Sequence, residues 1–340
     1  MRKLLNTLYV TTPEAYLSKD GLNVVVSVQQ KEIFRIPILN IESIVTFGYM
    51  GASPGLMKLC ADNGVALTFL SPQGRFVGRV QGATKGNVLL RVQQYKLAED
   101  KEFALHLSKI FIGGKIQNYR NILRRFIRDN GEDEEVRNAS QSLDNAKRLL
   151  FCTTSFDQLR GIEGEAANSY FSIFPHLILH QKESFPFKGR NRRPPKDAVN
   201  AMLSFVYTLI ANDTAAALET VGLDPYVGFL HTLRPGRTSL ALDVMEEFRA
   251  YLGDRLVLSL INRKQVNEKD FFSQGDDSIL MTDNCRKTLL TAWQARKKET
   301  FIHPYLNEQI PIGLLPYVQA TLLARYLRNE LDDYPVFLIR

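Results

Sequence analysis

The chain has 340 residues, a length that favours two domains, and 45% of them are hydrophobic, as in a globular protein with a substantial core. Its three cysteines are far apart in the sequence, which argues against a zinc site and against a disulfide framework. The net charge of +7, from 43 basic and 36 acidic residues, favours a polyanionic partner such as nucleic acid, although an enzyme whose basic face has no function is about equally compatible with it.

Residues 1–82 carry mostly β-strand signals. Runs of β-branched and aromatic residues predict strands, and Asp20-Gly21 between two such runs predicts a tight hairpin. Ser53 is a typical helix N-cap and Gly64 a typical stop, so we expect one short helix over residues 53–63. The predicted strands lie at 7–11, 15–17, 23–26, 32–36, 41–47, 65–70 and 76–80.

The pattern becomes helical after a small polar linker at residues 83–87. Apolar residues then recur at helical spacing almost to the end of the chain, as they do over residues 110–127. We therefore predict an α+β protein. A small, β-sandwich-like N-terminal domain is expected at residues 1–86, and a large all-α C-terminal domain at residues 87–340.

Glu163 is the first residue with the chemistry of a metal ligand. It stands between Gly161 and Gly164 at the entry to an apolar helical run, and the glycines suit a close approach to a backbone or a bound group. The alternative is an ordinary helix that uses its glycines for close packing. Glu165 is a rival ligand in the same segment.

His231 follows the apolar stretch 227–230, which we expect to bury it in part. Taken alone, a histidine in this setting is more often a structural hydrogen-bond donor than a ligand. The loop that follows carries Arg234 and Arg237 around a Pro-Gly turn, a placement that suits guanidiniums binding phosphate oxygens. The segment is therefore a candidate contact for a phosphodiester.

Three acidic residues lie in segment 239–249, which we predict to be one helix. Asp243, Glu246 and Glu247 are on the side opposite its apolar stripe, and Asp243 and Glu246 can converge on one ion. The commoner fate of such a face is exposure to solvent, and the choice among the three acids stays open. Together with the preceding glutamate and histidine, these acids would form a site for a hard divalent cation.

A run of basic residues lies in a proline-containing loop between the Glu163 and His231 segments. Phenylalanines interleave with it, a composition that favours contact with a nucleic-acid backbone, although a solvated charged face is the alternative. Its members are Lys182, Lys188, Arg190, Arg192, Arg193 and Lys196. In a basic chain, this run and the candidate cation site together indicate phosphodiester chemistry on nucleic acid.

Two segments resemble the signature of a known family. GIEGEAANSYF, residues 161–171, and GFLHTLRPGRTSLALDVMEEFR, residues 228–249, are similar to segments of the CRISPR-associated adaptation integrases, the metal-dependent nucleases of spacer acquisition. The stretches RNRRPPKDAVNAMLSF and HPYLNEQIPIGLLPYVQATLLARYLR fit the same family and resemble the version found in type I-C systems.

The resemblance implies which residues hold the metal and the DNA. Carried over position by position, the metal ligands are Glu163, His231 and Glu246, although the family often has aspartate at the last place. The ion implied is Mg²⁺ or Mn²⁺, and Asp243 matches a second acid near it. The implied catalytic set is Glu163, His231, Glu246 and Asp243, and the DNA-binding set is Arg190, Arg192, Arg193, Lys196, Arg234, Arg237 and Tyr207, the last at a place where members have a tyrosine near the DNA end.

The activity implied by the resemblance is that of a DNA endonuclease and integrase. The 3′-hydroxyl of a captured fragment would attack a phosphodiester at a CRISPR repeat boundary. The implied partners are double-stranded DNA, as protospacer and as repeat, a second copy of the chain in a homodimer, and a small second adaptation protein in a heterohexamer-type complex. The N-terminal domain would serve dimerisation and partner binding. Two alternatives stay open: a structure-selective nuclease of branched DNA in repair, and a non-catalytic DNA-binding scaffold.

The sequence also predicts where the protein works. Its first residues lack the pattern of a cleavable leader, and no uninterrupted apolar stretch is long enough to cross a membrane. The widely spaced cysteines suit a reducing compartment. We therefore expect a cytoplasmic protein that makes no membrane contact.

Overall fold

A computed structural model describes residues 6–12, 14–72, 74–80, 82, 88–191, 194–275 and 278–339. The strands are β1 (Thr7–Val10), β2 (Tyr16–Asp20), β3 (Asn23–Val28), β4 (Lys31–Pro37), β5 (Ser43–Phe47), β6 (Ala66–Leu70), β7 (Phe76–Val80), β8 (Phe271–Gln274), β9 (Ser278–Met281), β10 (Thr300–Ile302) and β11 (Gln309–Pro311). The α-helices are α1 (Pro54–Asn63), α2 (Val88–Glu99), α3 (Lys101–Asn130), α4 (Glu134–Cys152), α5 (Phe156–Ser172), α6 (Ala198–Val221), α7 (Ser239–Met245), α8 (Arg255–Asn262), α9 (Asp283–Lys298) and α10 (Leu315–Leu327), with a π-helical segment at Arg249–Asp254.

The chain divides into two compact units. The first comprises residues 1–85, 281–299 and 311–314, and the second comprises the remainder. In the first unit, one sheet has the strand order β1-β5-β6-β7, with parallel β1–β5 and β5–β6 pairs, and an antiparallel sheet has the order β2-β3-β4. Both sheets and α1 contribute to one buried apolar cluster, which agrees with a sandwich-like arrangement.

Local signals account for the elements of the first unit. The Ser53 side chain accepts a hydrogen bond from the Leu56 N–H at 3.2 Å, and Gly64 ends α1 in the left-handed region at φ +64°. Strands β2 and β3 form the hairpin predicted at Asp20-Gly21, with Asp20 paired to Asn23. These local predictions are confirmed because capping and turn preferences depend on the nearest residues.

The second unit is built mainly of helices. Side chains cap their N-termini: Asp100 accepts from backbone N–H groups at the start of α3, and Asp197 from the Asn200 N–H, 2.7 Å away, at the start of α6. Helix α6 is long and apolar enough to cross a membrane by length and composition, and 67% of its most apolar window is buried within the chain. Burial of this kind is typical of a core helix.

The C-terminal residues lie along α3. The Asn118 amide donates to the Phe337 carbonyl and its oxygen accepts from the Ile339 N–H, at 2.9 and 2.8 Å. Phe337 is 1% exposed, and the Val336 side chain lies where a Cβ at Gly114 would be. The tail is therefore an integral part of the unit that holds the candidate site.

The α+β prediction is confirmed. The predicted linker, residues 83–87, lies outside the described residues. Segments 281–299 and 311–314, which we expected in the C-terminal domain, group with the first unit. Helix α9 accounts for the larger of these segments: Leu289 and Trp293 are buried, and Lys297 Nζ lies 3.5 Å from the Thr7 hydroxyl of β1. Contacts between residues so far apart in the chain leave no periodic signal in the sequence.

Candidate active site

Asp243 organises the loop that carries His231. The aspartate is fully buried in α7, and its two carboxylate oxygens accept four hydrogen bonds from residues 229–231. The donors are the backbone N–H groups of Phe229 (2.7 Å), Leu230 (3.0 Å) and His231 (3.0 Å) and the imidazole Nδ1 of His231 (2.6 Å). Because Nδ1–H is bound to a carboxylate, Nε2 is the imidazole atom that can bind a ligand.

Gly228 allows this close approach of loop and helix. A Cβ at this position would lie 2.5 Å from Asp243 Oδ2 and 2.8 Å from the Ser239 carbonyl carbon. Any side chain would therefore displace the aspartate or the start of α7. The Gly-Phe-Leu-His order in the sequence thus has a packing reason in addition to any chemical one.

The acidic helix is shorter than predicted. The expected helix over residues 239–249 ends at Met245, and a turn leads into the π-helical segment Arg249–Asp254. The solvent-facing alternative for its acids is also wrong, since Asp243, Glu246 and Glu247 are all buried. Periodicity alone could not reveal this, because each carboxylate is buried by partners from distant parts of the chain.

Lys115 brings Glu163 and Glu246 together. Helix α3 supplies the lysine and α5 supplies Glu163, and the Lys115 ammonium pairs with Glu163 Oε1 and lies 2.8 Å from Glu246 Oε2. The Arg249 guanidinium donates to the other oxygen of Glu246, Oε1, at 2.5 Å. Two carboxylates predicted as metal ligands therefore share one buried ammonium.

The sequence reasoning did not identify Lys115, although a signal was present. The lysine follows Ile112-Gly113-Gly114 and stands four residues before Tyr119 on the apolar side of the predicted helix. A lysine on the buried face of a helix is rarely placed there without an acidic partner.

Charge keeps Glu246 ionised in spite of its burial. Burial alone would raise the pKa of Glu246, but the positive charges of Arg249 and Lys115 outweigh it and hold that pKa well below its usual range. Glu247 behaves differently. Burial raises its pKa to about 8, against hydrogen bonds from Tyr334, the Phe337 N–H and Gln319. Of the two adjacent glutamates, only Glu246 therefore has the charge that cation binding needs.

The residues present fit a divalent cation. Two carboxylates and an imidazole are a common donor set for such an ion. In addition, Glu246 Oε2 is a buried oxygen that accepts no well-aligned hydrogen bond, although the Lys115 ammonium is near. Within the described part of the chain, no three His, Cys, Asp or Glu side chains are grouped closely enough to hold a metal ion. Assembly of the predicted ligand set therefore requires side-chain movement.

The glycines beside Glu163 have a different setting from the one expected. A Cβ at Gly161 or at Gly164 would meet nothing within 4 Å, so neither glycine serves packing within the chain. Glu165, the rival ligand, is exposed. The α5 surface next to Glu163 is therefore open to a bound group.

Two residues predicted to contact DNA make contacts within the chain, Tyr207 in the interior and Arg190 in a half-buried position. Tyr207 is 7% exposed and donates to Asp254 Oδ1 at 2.5 Å, with the Arg249 and Arg190 guanidinium carbons 4.3 and 5.3 Å from its ring centroid. The Arg190 guanidinium also donates to Asn200 Oδ1 at 2.6 Å. A direct DNA contact by either residue would need a rearrangement.

The other predicted DNA contacts are placed as follows. Lys196 and Arg234 are exposed and Arg237 is half-buried. Arg192 and Arg193 lie outside the described residues. Lys196 and Arg234 are therefore accessible to a phosphate backbone, and their contact with DNA stays a prediction.

Comparisons with known proteins decide the family. The family model described as CRISPR associated protein Cas1 matches residues 8–295. The chain belongs to the Cas1 family. A CRISPR-associated endonuclease Cas1 from Chlorobaculum tepidum is 50% identical over 100% of both chains, and one from Rhodospirillum rubrum is 48% identical over 98% of both chains.

Solved structures show the same fold as this Cas1 chain. A Cas1 protein from Thermotoga maritima has a TM-score of 0.82 with 22% identity, covering 95% of this chain and 96% of its own. A casposase bound to its integration product has a TM-score of 0.85 with 22% identity, covering 97% of this chain and 94% of its own. At such identities the likeness concerns the fold alone.

Family membership confirms the resemblance described above and, with it, the prediction of a DNA endonuclease that serves CRISPR spacer integration. It also supports the predicted dependence on a metal ion, without specifying which one. The repair nuclease and the non-catalytic scaffold are not favoured. Assignment to type I-C systems stays a prediction, as do the roles of the individual residues.

Proposed function

We propose that this Cas1 chain holds its catalytic cation with Glu163, Glu246 and His231 Nε2. One observation carries the proposal: Lys115 of α3 pairs with the carboxylates of both Glu163 and Glu246. The imidazole of His231 is oriented by Asp243, which lies three residues before Glu246 in the chain. Glu246 is ionised, and Nδ1 of His231 is occupied. This donor set is compatible with Mg²⁺ and, through the imidazole, favours Mn²⁺ as well.

The chain's own residues account for positioning. Asp243 fixes the imidazole orientation, and Arg249 fixes one oxygen of Glu246. Arg234 is exposed on the loop after His231, and the Arg237 N–H donates to its carbonyl at 3.0 Å. We propose that the two guanidiniums bind phosphate oxygens of the target strand. When bound, a divalent cation supplies polarisation of the phosphoryl oxygen and neutralises the charge that develops there.

The reaction proposed is an in-line displacement at phosphorus. The 3′-oxygen of the captured fragment forms a bond to phosphorus at the repeat boundary, and the bond from that phosphorus to the 3′-oxygen of the repeat strand breaks. The attacking hydroxyl gives its proton to solvent, and the leaving oxygen takes one from solvent. With water as the nucleophile, the same site hydrolyses DNA.

The proposed assembly includes a second copy of the chain and a small adaptation protein. A solved complex named Cas6-RT-Cas1--Cas2 contains a chain with this fold, with a TM-score of 0.84 and 21% identity over 100% of this chain and 36% of its own. We propose that the first unit provides the surfaces for dimerisation and for a Cas2-type partner, in a heterohexamer-type complex. Double-stranded DNA is the substrate, both as protospacer and as CRISPR repeat, and we place the complex in the cytoplasm.

The proposal predicts that His231→Ala loses at least about a hundredfold in Mn²⁺-dependent cleavage and strand joining while its affinity for duplex DNA changes by less than about threefold. The reason is that phosphate contacts determine affinity, whereas the ligand set determines the rate. The measurement combines a strand-joining assay, which uses a short duplex, a repeat-bearing plasmid and the Cas2-type partner, with a DNA-binding titration.

His176→Ala is the matched control, because His176 pairs with Asp133 at 2.9 Å on another part of the helical unit. It should retain turnover. Equal loss of binding and turnover in His231→Ala would contradict the proposed division of roles. Cleavage without joined products by the wild-type protein would instead support the branched-DNA repair nuclease.

A further inference from the structure

Lys115 lies between the two carboxylates that we assign to the cation. Its side chain is 2% exposed, and its ammonium has Glu163 and Glu246 as ion-pair partners. A buried ammonium loses its hydration, and in this position the two carboxylates offset that loss. The lysine therefore has the environment of a bound cation.

We propose that Lys115 is a positioning residue, an internal cation that holds Glu163 and Glu246 together in the metal-free protein and withdraws when a divalent cation binds between them. The inference rests on the ligand set proposed above. It concerns a residue of α3 that is not itself a ligand.

The balance of charge supports withdrawal. Glu163 and Glu246 carry two negative charges, which Lys115 and Arg249 neutralise. A divalent cation added to this group would leave four positive charges beside the carboxylates of Glu163 and Glu246, with the Asp243 carboxylate behind His231 as a further acid nearby. Because repulsion between like charges is strong where water is excluded, this excess of positive charge favours the departure of one of the two side-chain cations.

The structure favours Lys115 as the cation that moves. The Arg249 guanidinium is held between Glu246 Oε1 at 2.5 Å and the Tyr207 ring at 4.3 Å. Lysine has a flexible stem and a single charged atom, and Glu163, its partner on one side, is 31% exposed. The ammonium therefore has a short way to solvent along the Glu163 side.

The arrangement of the acids agrees with a metal-free state of this kind. No three candidate ligands are grouped for metal binding among the described residues, and the ammonium occupies the space between two of them. Removal of the ammonium would allow Glu163 and Glu246 to share a different cation. Lys115 would thus keep the two carboxylates close together before the metal arrives, and limit how tightly the metal is held.

The wild-type protein provides the first test, by acetylation of lysine with a water-soluble acylating reagent and mass spectrometry. Lys115 should react at least about fivefold faster in the presence of Mn²⁺ than in its absence, since only a solvated amine reacts readily. Lys109, which lies on the same helix and is half-buried, is the internal control and should not change. Equal reactivity of Lys115 with and without Mn²⁺, with Mn²⁺ bound, would overturn the proposal.

Substitution provides the second test. Lys115→Gln removes the charge but keeps a hydrogen-bond donor, and we expect its Mn²⁺ affinity, measured by calorimetry without DNA, to rise about tenfold. Its metal-free melting temperature should fall by about 5 °C and recover in Mn²⁺. Lys109→Gln should match the wild type in both measurements. Unchanged or weaker Mn²⁺ binding by Lys115→Gln would contradict an internal cation, and the acetylation test decides the matter if this variant does not fold.

Two further variants separate this inference from the ligand assignment. Glu246→Gln and His231→Ala should each abolish the calorimetric Mn²⁺ signal. If both variants bind Mn²⁺ as the wild type does, the proposed ligand set is wrong. A second outcome is that both variants lose Mn²⁺ binding, while Mn²⁺ does not speed the acetylation of Lys115 and Lys115→Gln does not bind Mn²⁺ more tightly. The ligand set would then stand, and only the role of Lys115 as an internal cation would be wrong.

Discussion

Asp243 affects the candidate site through the loop that it holds. Both of its oxygens are used by four N–H donors of residues 229–231, and Gly228 leaves room for the carboxylate. An acid that accepts this many hydrogen bonds has little capacity left for a cation. We therefore assign Asp243 to the orientation of His231, and Glu246 to the cation itself.

Asp243→Asn tests this assignment. The asparagine has the same shape, but its amide group would face N–H donors, and each unsatisfied buried donor costs about 1–3 kcal/mol. We expect the nuclease rate to fall by about 10- to 100-fold and the free energy of unfolding to fall by about 2–4 kcal/mol, whereas DNA affinity should stay near that of the wild type. Single-turnover cleavage, urea unfolding and a DNA titration measure the three quantities; full activity with intact stability would contradict the assignment.

Asp254 is a buried acid that the proposed reaction does not use. Burial raises its pKa to about 6 from 3.8, although the Tyr207 hydrogen bond and the Arg249 charge act in the opposite direction. Tyr170 and Arg190 also face it and lower its pKa further. The folded protein therefore keeps a proton on Asp254 at pH values where the unfolded chain has lost it.

This proton makes stability depend on pH. Below about pH 4 Asp254 is protonated in both the folded and the unfolded state. Between about pH 4 and 6 it ionises in the unfolded chain only, which stabilises the unfolded state. Over this range the free energy of unfolding of the wild type should fall by about 3 kcal/mol relative to that of Asp254→Asn. Above about pH 6 the difference should be constant. Urea unfolding of both proteins at several pH values measures it; a difference that does not vary between pH 4 and 6 would show that Asp254 ionises normally.

At the scale of elements, α3 connects the C-terminal tail to the candidate site. Three residues within five positions of this helix make the contacts. Gly114 faces the Val336 side chain, and Asn118 hydrogen-bonds to the backbone of Phe337 and Ile339. Between them, Lys115 pairs with Glu163 and Glu246. A displacement of the tail would therefore be transmitted to the helix that carries Lys115.

Two glycines offer a matched pair of substitutions for this contact. Gly114→Ala places a Cβ against the Val336 side chain, and we expect it to lower the free energy of unfolding by about 1–3 kcal/mol. Gly161→Ala meets nothing within 4 Å in α5 and should raise it by about 0.5–1 kcal/mol, because alanine favours a helix. Chemical denaturation measures both. Val336→Ala added to Gly114→Ala should recover part of the loss, and no recovery would indicate that the clash lies elsewhere.

The helices and strands were more predictable than the site. Ser53 with Gly64, and Asp20-Gly21, specify α1 and the first hairpin through local backbone preferences, and the apolar stripe of α3 follows from its 3.6-residue period. The acids of segment 239–249 could not be placed in this way, because Glu246 and Glu247 are buried by partners such as Lys115 and Tyr334. Residue types alone indicated Glu163, His231 and an acid of segment 239–249 as candidate ligands, and the family resemblance selected Glu246 among those acids. The partners that bury these side chains could be identified only in the structure.

At the scale of the whole molecule, the net charge of +7 indicates attraction to DNA but does not show which cations meet it. Arg190 and Lys196 belong to the same basic run, and their side chains have different settings. The first donates to Asn200 and Ser204 and lies near the Tyr207 ring, whereas the second is exposed. Charge clusters in a sequence therefore combine exposed residues, which are free to meet phosphates, with residues that hydrogen-bond within the chain.

The salt dependence of DNA binding separates these two classes. Lys196→Ala and Arg234→Ala should each reduce the slope of log affinity against log salt by about 1, because each removes one exposed cation that can release a counterion from the duplex. Arg190→Ala should leave the slope unchanged and instead lower the free energy of unfolding by about 1–3 kcal/mol, since it removes the guanidinium hydrogen bonds to Asn200 Oδ1 and Ser204 Oγ. Titrations at several salt concentrations, with denaturation of the same three variants, measure both effects. A reduced slope for Arg190→Ala would mean that its guanidinium turns outward on DNA, in which case the contact with Tyr207 belongs to the DNA-free protein only.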